Sequence, residues 1–63
     1  MSKIVNYLII MNGDKEAWTG SGWSKNYDEA KEWASMSWIA DAIVKVRAQT
    51  GVRCFVSGIN REL

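Results

Sequence analysis

The apolar positions fall into three blocks with different periods. Residues 4–11, Ile4-Val5-Asn6-Tyr7-Leu8-Ile9-Ile10-Met11, are β-branched or aromatic at five of eight positions and predict a first strand. Asn12-Gly13 follows at once, a dipeptide that favours the left-handed conformations of a tight hairpin turn, so the chain is expected to reverse over residues 12–15. Asn6 is the one polar member of the run. The odd face (Val5, Tyr7, Ile9, Met11) is therefore expected to be the core face, although Leu8 and Ile10 make the other face nearly as apolar.

Residues 16–23 predict the returning strand, which Gly20 and Gly22 weaken by removing side chains that would pack on the sheet. The alternative is a short strand over 16–20 and a loop in which Trp23 folds back over the core. Asn26 then offers a side-chain oxygen to the start of a helix, with Asp28 and Glu29 at the positive end of its dipole. Gly51 supplies the stop, so the pattern predicts a helix over 27–49. Its apolar stripe changes face on the way. Tyr27, Ala30, Trp33 and Ala34 cluster on one side, whereas Met36, Ile39, Ile43 and Val46 form a stripe rotated by roughly 130°. A break at Ala34-Ser35-Met36-Ser37 or one straight helix serving two surfaces would each produce this. With no proline or glycine inside, the continuous helix is favoured.

Residues 52–57 predict a last strand, with Val52, Cys54 and Val56 on one face, and residues 58–63 a frayed tail. The expected fold class is α+β: a two-layer β-β-α-β unit, a three-stranded sheet with one long helix packed on one face, and a single domain over 1–63.

Size changes what this pattern means. A chain of 63 residues removes about 6,000 Å² from water on folding, which supplies about 90 kcal/mol of apolar burial. Ordering the chain costs about 95 kcal/mol. One small core thus stands near balance, and burial against a second copy would add directly to stability. Staples are missing: one cysteine and no histidine leave neither an intramolecular disulfide nor a zinc set. No metal or cofactor is expected. A formal charge of +1 fits neither a nucleic-acid mimic nor a phosphate-coating domain, and the apolar run at residues 4–11 is too short for a signal peptide or a membrane span. The expected location is the cytoplasm, in keeping with a lone free thiol.

Catalytic groupings are thin. No imidazole is present for a Ser or Cys nucleophile, Asp28, Glu29 and Glu32 sit where helix electrostatics favours acids anyway, and Cys54 reads as a small buried hydrophobe. Thr19-Gly20-Ser21-Gly22 reads as a turn, since it lacks the lysine spacing of a phosphate loop. No catalytic residue is assigned, and the protein is expected not to be an enzyme.

Seven aromatic rings are more than so small a core can enclose. Trp33 and Trp38 are five residues apart, about 140° around a helix, so one can pack on the sheet while the other meets a partner. The expected partner-binding set is Trp33, Met36, Trp38, Ile39, Ile43 and Val46, with association into a homodimer. The competing class is a single-stranded nucleic-acid binder using Lys15, Trp18, Trp23, Lys25 and Lys31.

The phrase Trp23-Ser24-Lys25-Asn26-Tyr27-Asp28-Glu29-Ala30-Lys31-Glu32-Trp33-Ala34 resembles small accessory proteins of bacteriophages and prophages, in which W-[ST]-K-x-x-x-E-A-K leads into the helix of a compact β-β-α-β unit. The resemblance implies a phage-encoded modulator or inhibitor, working in the host cytoplasm by binding a host or phage protein. It implies no catalytic residues.

Overall fold

The computed structural model describes residues 3–62. The chain forms β1 (Ile4–Asn12), β2 (Ala17–Trp18), β3 (Trp23–Ser24), a 3-10 turn at Tyr27–Glu29, α1 (Met36–Thr50) and β4 (Cys54–Glu62). The sheet is antiparallel with four strands in the order β3-β2-β1-β4, which corrects the three-stranded expectation. One helix packs on one face, as expected.

The additional strand comes from the segment expected to be one strand over 16–23. After Trp18 the chain turns at once: the Thr19 N–H and hydroxyl both donate to the Gly22 carbonyl, at 2.9 and 3.0 Å, and Gly20 takes φ 105°. The glycines therefore cut the strand into two short ones instead of bulging a long one. Trp18 and Trp23 end opposite each other, close to the alternative in which Trp23 folds back.

The first hairpin turns where Asn12-Gly13 placed it. Buried Asn12 accepts at Oδ1 from the amides of Asp14 and Glu16, and Lys15 takes the left-handed conformation. This asparagine acts mainly through its side chain, which mimics a backbone acceptor within the turn.

The helix expected over 27–49 is the larger correction. Asn26 does cap a helical turn, accepting from the Asp28 N–H, but that turn ends at Ala30 in an extended conformation. The sheet accounts for the interruption. Because β2 leaves early, Leu8 would have an unpaired N–H and C=O on that edge; Trp33 supplies both partners at 2.8 Å, and Lys31 donates to the Trp18 carbonyl at 2.9 Å. Satisfying buried backbone groups outweighs continuing the helix. Residues 27–30 lie against one face of the sheet, residues 31–33 run along its edge, and α1 covers the other face. Of the first stripe, Ala30 is buried on the face opposite α1 and Trp33 packs on the α1 side, so the 130° rotation marks the end of the helical segment and not two surfaces of one helix. α1 ends at Gly51, which adopts φ 68° and donates to the Arg47 carbonyl.

β4 reaches Glu62, so residues 58–62, expected to fray, are strand, residue 63 lies outside the described residues, and residues 52 and 53 lie before the strand. It pairs with β1 without interruption from Asn12↔Cys54 to Ile4↔Glu62. Both faces of β1 are buried at its centre: Ile9 and Ile10 are each 0% exposed. Ile10 joins Trp18, Ile39, Ile43, Val46 and Cys54 beneath α1, whereas Ile9 joins Ala17 and Ala30 on the other face. The main core is thus on the even face, which corrects the odd-face expectation.

Candidate protein-docking surface

α1 sets the geometry of the surface. At about 100° per residue, Ile39, Ile43 and Val46 share an arc of about 60° that faces the sheet. All three are buried in the chain's own core. They were expected to bind a partner, and the structure instead assigns them to holding α1 in place. What remains for a partner are the two flanks of the helix. Met36, Ala40 and Val44 line one, and Met36 and Val44 are each 62% exposed. Trp38 stands about 160° from Met36 on the other flank and is 70% exposed.

Arg47 fixes which flank faces which way. Its guanidinium donates to the Cys54 carbonyl at 2.6 Å, so the Met36–Ala40–Val44 flank lies toward β4, at the outer edge of the sheet. Trp38 points to the side away from β4. Phe55 adds a half-exposed ring to β4. Val44 and Phe55 were missed in the sequence; Met36, Ala40 and Val44 follow one another at i, i+4 spacing, which keeps them on one flank, and Val44 was legible in principle.

Trp33 is half-buried against the core beneath α1, with the Lys31 ammonium 5.6 Å from its ring centroid. The proposed stacking platform for nucleic acid is not assembled. Trp18 is buried, and Trp23 is half-buried and packs edge-to-face on it with centroids 5.3 Å apart. Lys15, Lys25 and Lys31 are exposed, and the Lys15 carbonyl accepts from the Tyr27 hydroxyl at 2.9 Å. The Trp18 and Trp23 rings are therefore already occupied by each other and by the core.

The carboxylates have a structural partner. Arg61 donates to Asp28 and Glu32 at 2.7 Å each and to the Tyr27 carbonyl at 3.0 Å, so the acids expected at a helix start tie residues 27–32 to β4. Hydrogen bonding to Glu32, then to Asp28, raises the Arg61 pKa and keeps the group charged. Among the described residues, no three acidic, histidine or cysteine side chains group to hold a metal ion, and no helix is long and apolar enough to cross a membrane. Cys54 is buried within the core. No protein-family model, curated protein or solved structure matches the chain.

Proposed function

We propose that this protein is a non-enzymatic binding module that docks a protein partner on the solvent side of α1. The observation that carries the reading is Trp38, a tryptophan 70% exposed on a flank of a helix whose inner stripe is anchored in the core. Such a ring presents a large apolar area with little side-chain entropy to lose, which is why tryptophan is enriched among interface residues that dominate affinity. In the phage setting that residues 23–34 resemble, the partner is a host or phage protein and binding modulates or inhibits it.

The test compares the natural chain with Trp38→Ala. A partner captured by the natural chain is purified and titrated calorimetrically against both forms, with Lys45→Ala as a neighbouring control. Trp38→Ala is expected to weaken binding by more than about tenfold, a loss of about 1.4 kcal/mol or more, with an unchanged melting curve. Equal affinity overturns the reading. So does salt-dependent quenching of tryptophan fluorescence by a single-stranded oligonucleotide, which would favour the nucleic-acid class.

A further inference from the structure

The second feature without a partner among the described residues is the outer edge of β4. Leu8 directs its N–H and C=O to Trp33, away from β4, so Leu8↔Gly58 is a non-hydrogen-bonded pair of the β1–β4 ladder. The alternation of an antiparallel ladder then sends the N–H and C=O of Val56, Gly58 and Asn60 outward from the sheet. The Cys54 carbonyl points the same way and receives Arg47. A strand of nine residues, paired in continuous register on one side and, among the described residues, with no strand on the other, is a template for another strand.

We infer that a second copy of this chain adds to that edge, β4 against β4 around a two-fold axis, and that the two α1 helices pack together through Met36, Ala40 and Val44. This goes beyond the proposed docking of a protein at Trp38, because it uses the opposite flank of the helix, and either can fail without the other.

Geometry favours a second copy over an unrelated peptide. Neighbouring strands lie about 4.8 Å apart. α1 contacts both β1 and β4, and an axis set midway between those two strands lies about 2.4 Å inside β4. A two-fold axis through a β4–β4 ladder lies about 2.4 Å outside β4. The two helices are then about 9.6 Å apart, within the 8–10 Å of packed helices. A lone peptide on the edge would leave the helix flank in water.

The flank suits that approach. Met36, Ala40 and Val44 form an i, i+4, i+8 ridge with its smallest residue in the middle, and the ridge itself carries no charge. On the other face of the sheet, pairing centred on Ser57 sets half-exposed Phe55 opposite the partner's Ile59. It also brings Arg53 to the partner's Asp28–Glu32–Arg61 cluster, two carboxylates and one guanidinium with a net negative charge. The Cys54 carbonyl has two lone pairs and can receive the partner's Asn60 N–H while keeping Arg47. The chain exposes 4502 Å², against about 4,100 Å² expected for a monomer of its size, so it has surface to bury.

Sedimentation of the full chain at micromolar concentration, compared with two variants, tests the inference. The natural chain is expected at twice 7.1 kDa. Gly58→Pro removes an outward N–H at a position where a Cβ meets nothing closer than the Tyr7 carbonyl at 3.9 Å, and Val44→Glu places a charge on the helix ridge. Each is expected to weaken dimerisation about a hundredfold, the scale of an interface hot spot, while Trp38→Ala leaves it intact. A monomeric natural chain overturns the inference, and so does a dimer that survives either substitution. Should Gly58→Pro fail to fold, amide exchange in the natural chain carries the test. Val56, Gly58 and Asn60 exchange slowly at high concentration and rapidly on dilution if the edge is paired between copies; rapid exchange throughout overturns it.

Discussion

Ile9 and Ile10 are neighbours in one strand, equally inaccessible to water, yet they are buried by different means. Ile10 lies under α1, among Trp18, Ile39, Ile43, Val46 and Cys54, where a periodic stripe of aliphatic side chains seals the sheet. Ile9 lies under a segment with little regular structure, beside Ala17 and Ala30, and polar fasteners at the rim hold that segment down. Arg61 ties residues 27–32 to β4, and the Tyr27 hydroxyl ties the same segment to the Lys15 carbonyl. The contrast shows two ways to close a sheet. A helix does it with apolar area and needs few specific contacts, whereas an irregular cover with little apolar area depends on where its hydrogen bonds fall.

Truncating each isoleucine separates the two directly. Ile10→Ala is expected to cost about 4 kcal/mol, near the upper part of the range for such changes, because the rigid helix and the Trp18 ring cannot collapse into the space. Ile9→Ala is expected to cost about 2.5 kcal/mol, since the cover on that face can settle toward the sheet. Urea unfolding of both variants gives the difference. Equal losses would show that the irregular segment packs as firmly as α1.

Arg61→Ala addresses the fasteners and leaves the apolar contacts alone. The expected result is local: the amides of Lys31 and Trp33, which donate to Trp18 and Leu8, should exchange faster, while those in the middle of α1 keep their protection. Added salt should weaken the same contacts in the natural chain, as the Asp28 side of the cluster is open to water. An unchanged exchange pattern would mean that Ala30 and the edge pairing hold the segment without the ion pairs.

The same contrast explains what the sequence made legible. The helical stripe after Met36, the Gly51 stop, the reversal at Asn12-Gly13 and β1 itself follow from local pattern and backbone preference, and each is present, whereas the start of the helix at 27 and the odd core face of β1 are not. Local signals could not locate the cover over Ile9. Asn26 and the acids after it are sound helix-start residues, but an unpaired edge at Leu8, contributed from elsewhere in the chain, diverts residues 31–33. β4 was underestimated for a related reason: Gly58 and Asn60 are poor strand formers, and only the pairing along β1 reveals that they continue the strand. At the candidate site, the aliphatic stripe was visible but its role was inverted. Periodicity shows which residues share a helix face and cannot tell whether that face meets the chain's own sheet or another molecule, so Ile39, Ile43 and Val46 looked like an interface and Val44 went unnoticed.

The smallest expected effect concerns a buried side-chain atom left unpaired on the helix-covered side. Among the described residues, Trp23 Nε1 is buried without a hydrogen-bond partner, while its ring packs edge-to-face on Trp18 at 5.3 Å. An unsatisfied buried donor costs about 1–3 kcal/mol, and deleting a partly buried ring segment loses a similar amount of packing. Trp23→Phe removes the donor, keeps an aromatic ring against Trp18 and shortens it, so the two changes oppose each other and the net shift is expected within about 0.5 kcal/mol. Trp23→Leu removes the donor but also the edge-to-face pair, worth about 0.5–1.5 kcal/mol, and should be the less stable of the two. Thermal unfolding of both variants decides it. A large loss in Trp23→Phe would show that the indole nitrogen forms an interaction in solution, and that the apolar side of the sheet, like the side over Ile9, depends on a specific polar contact.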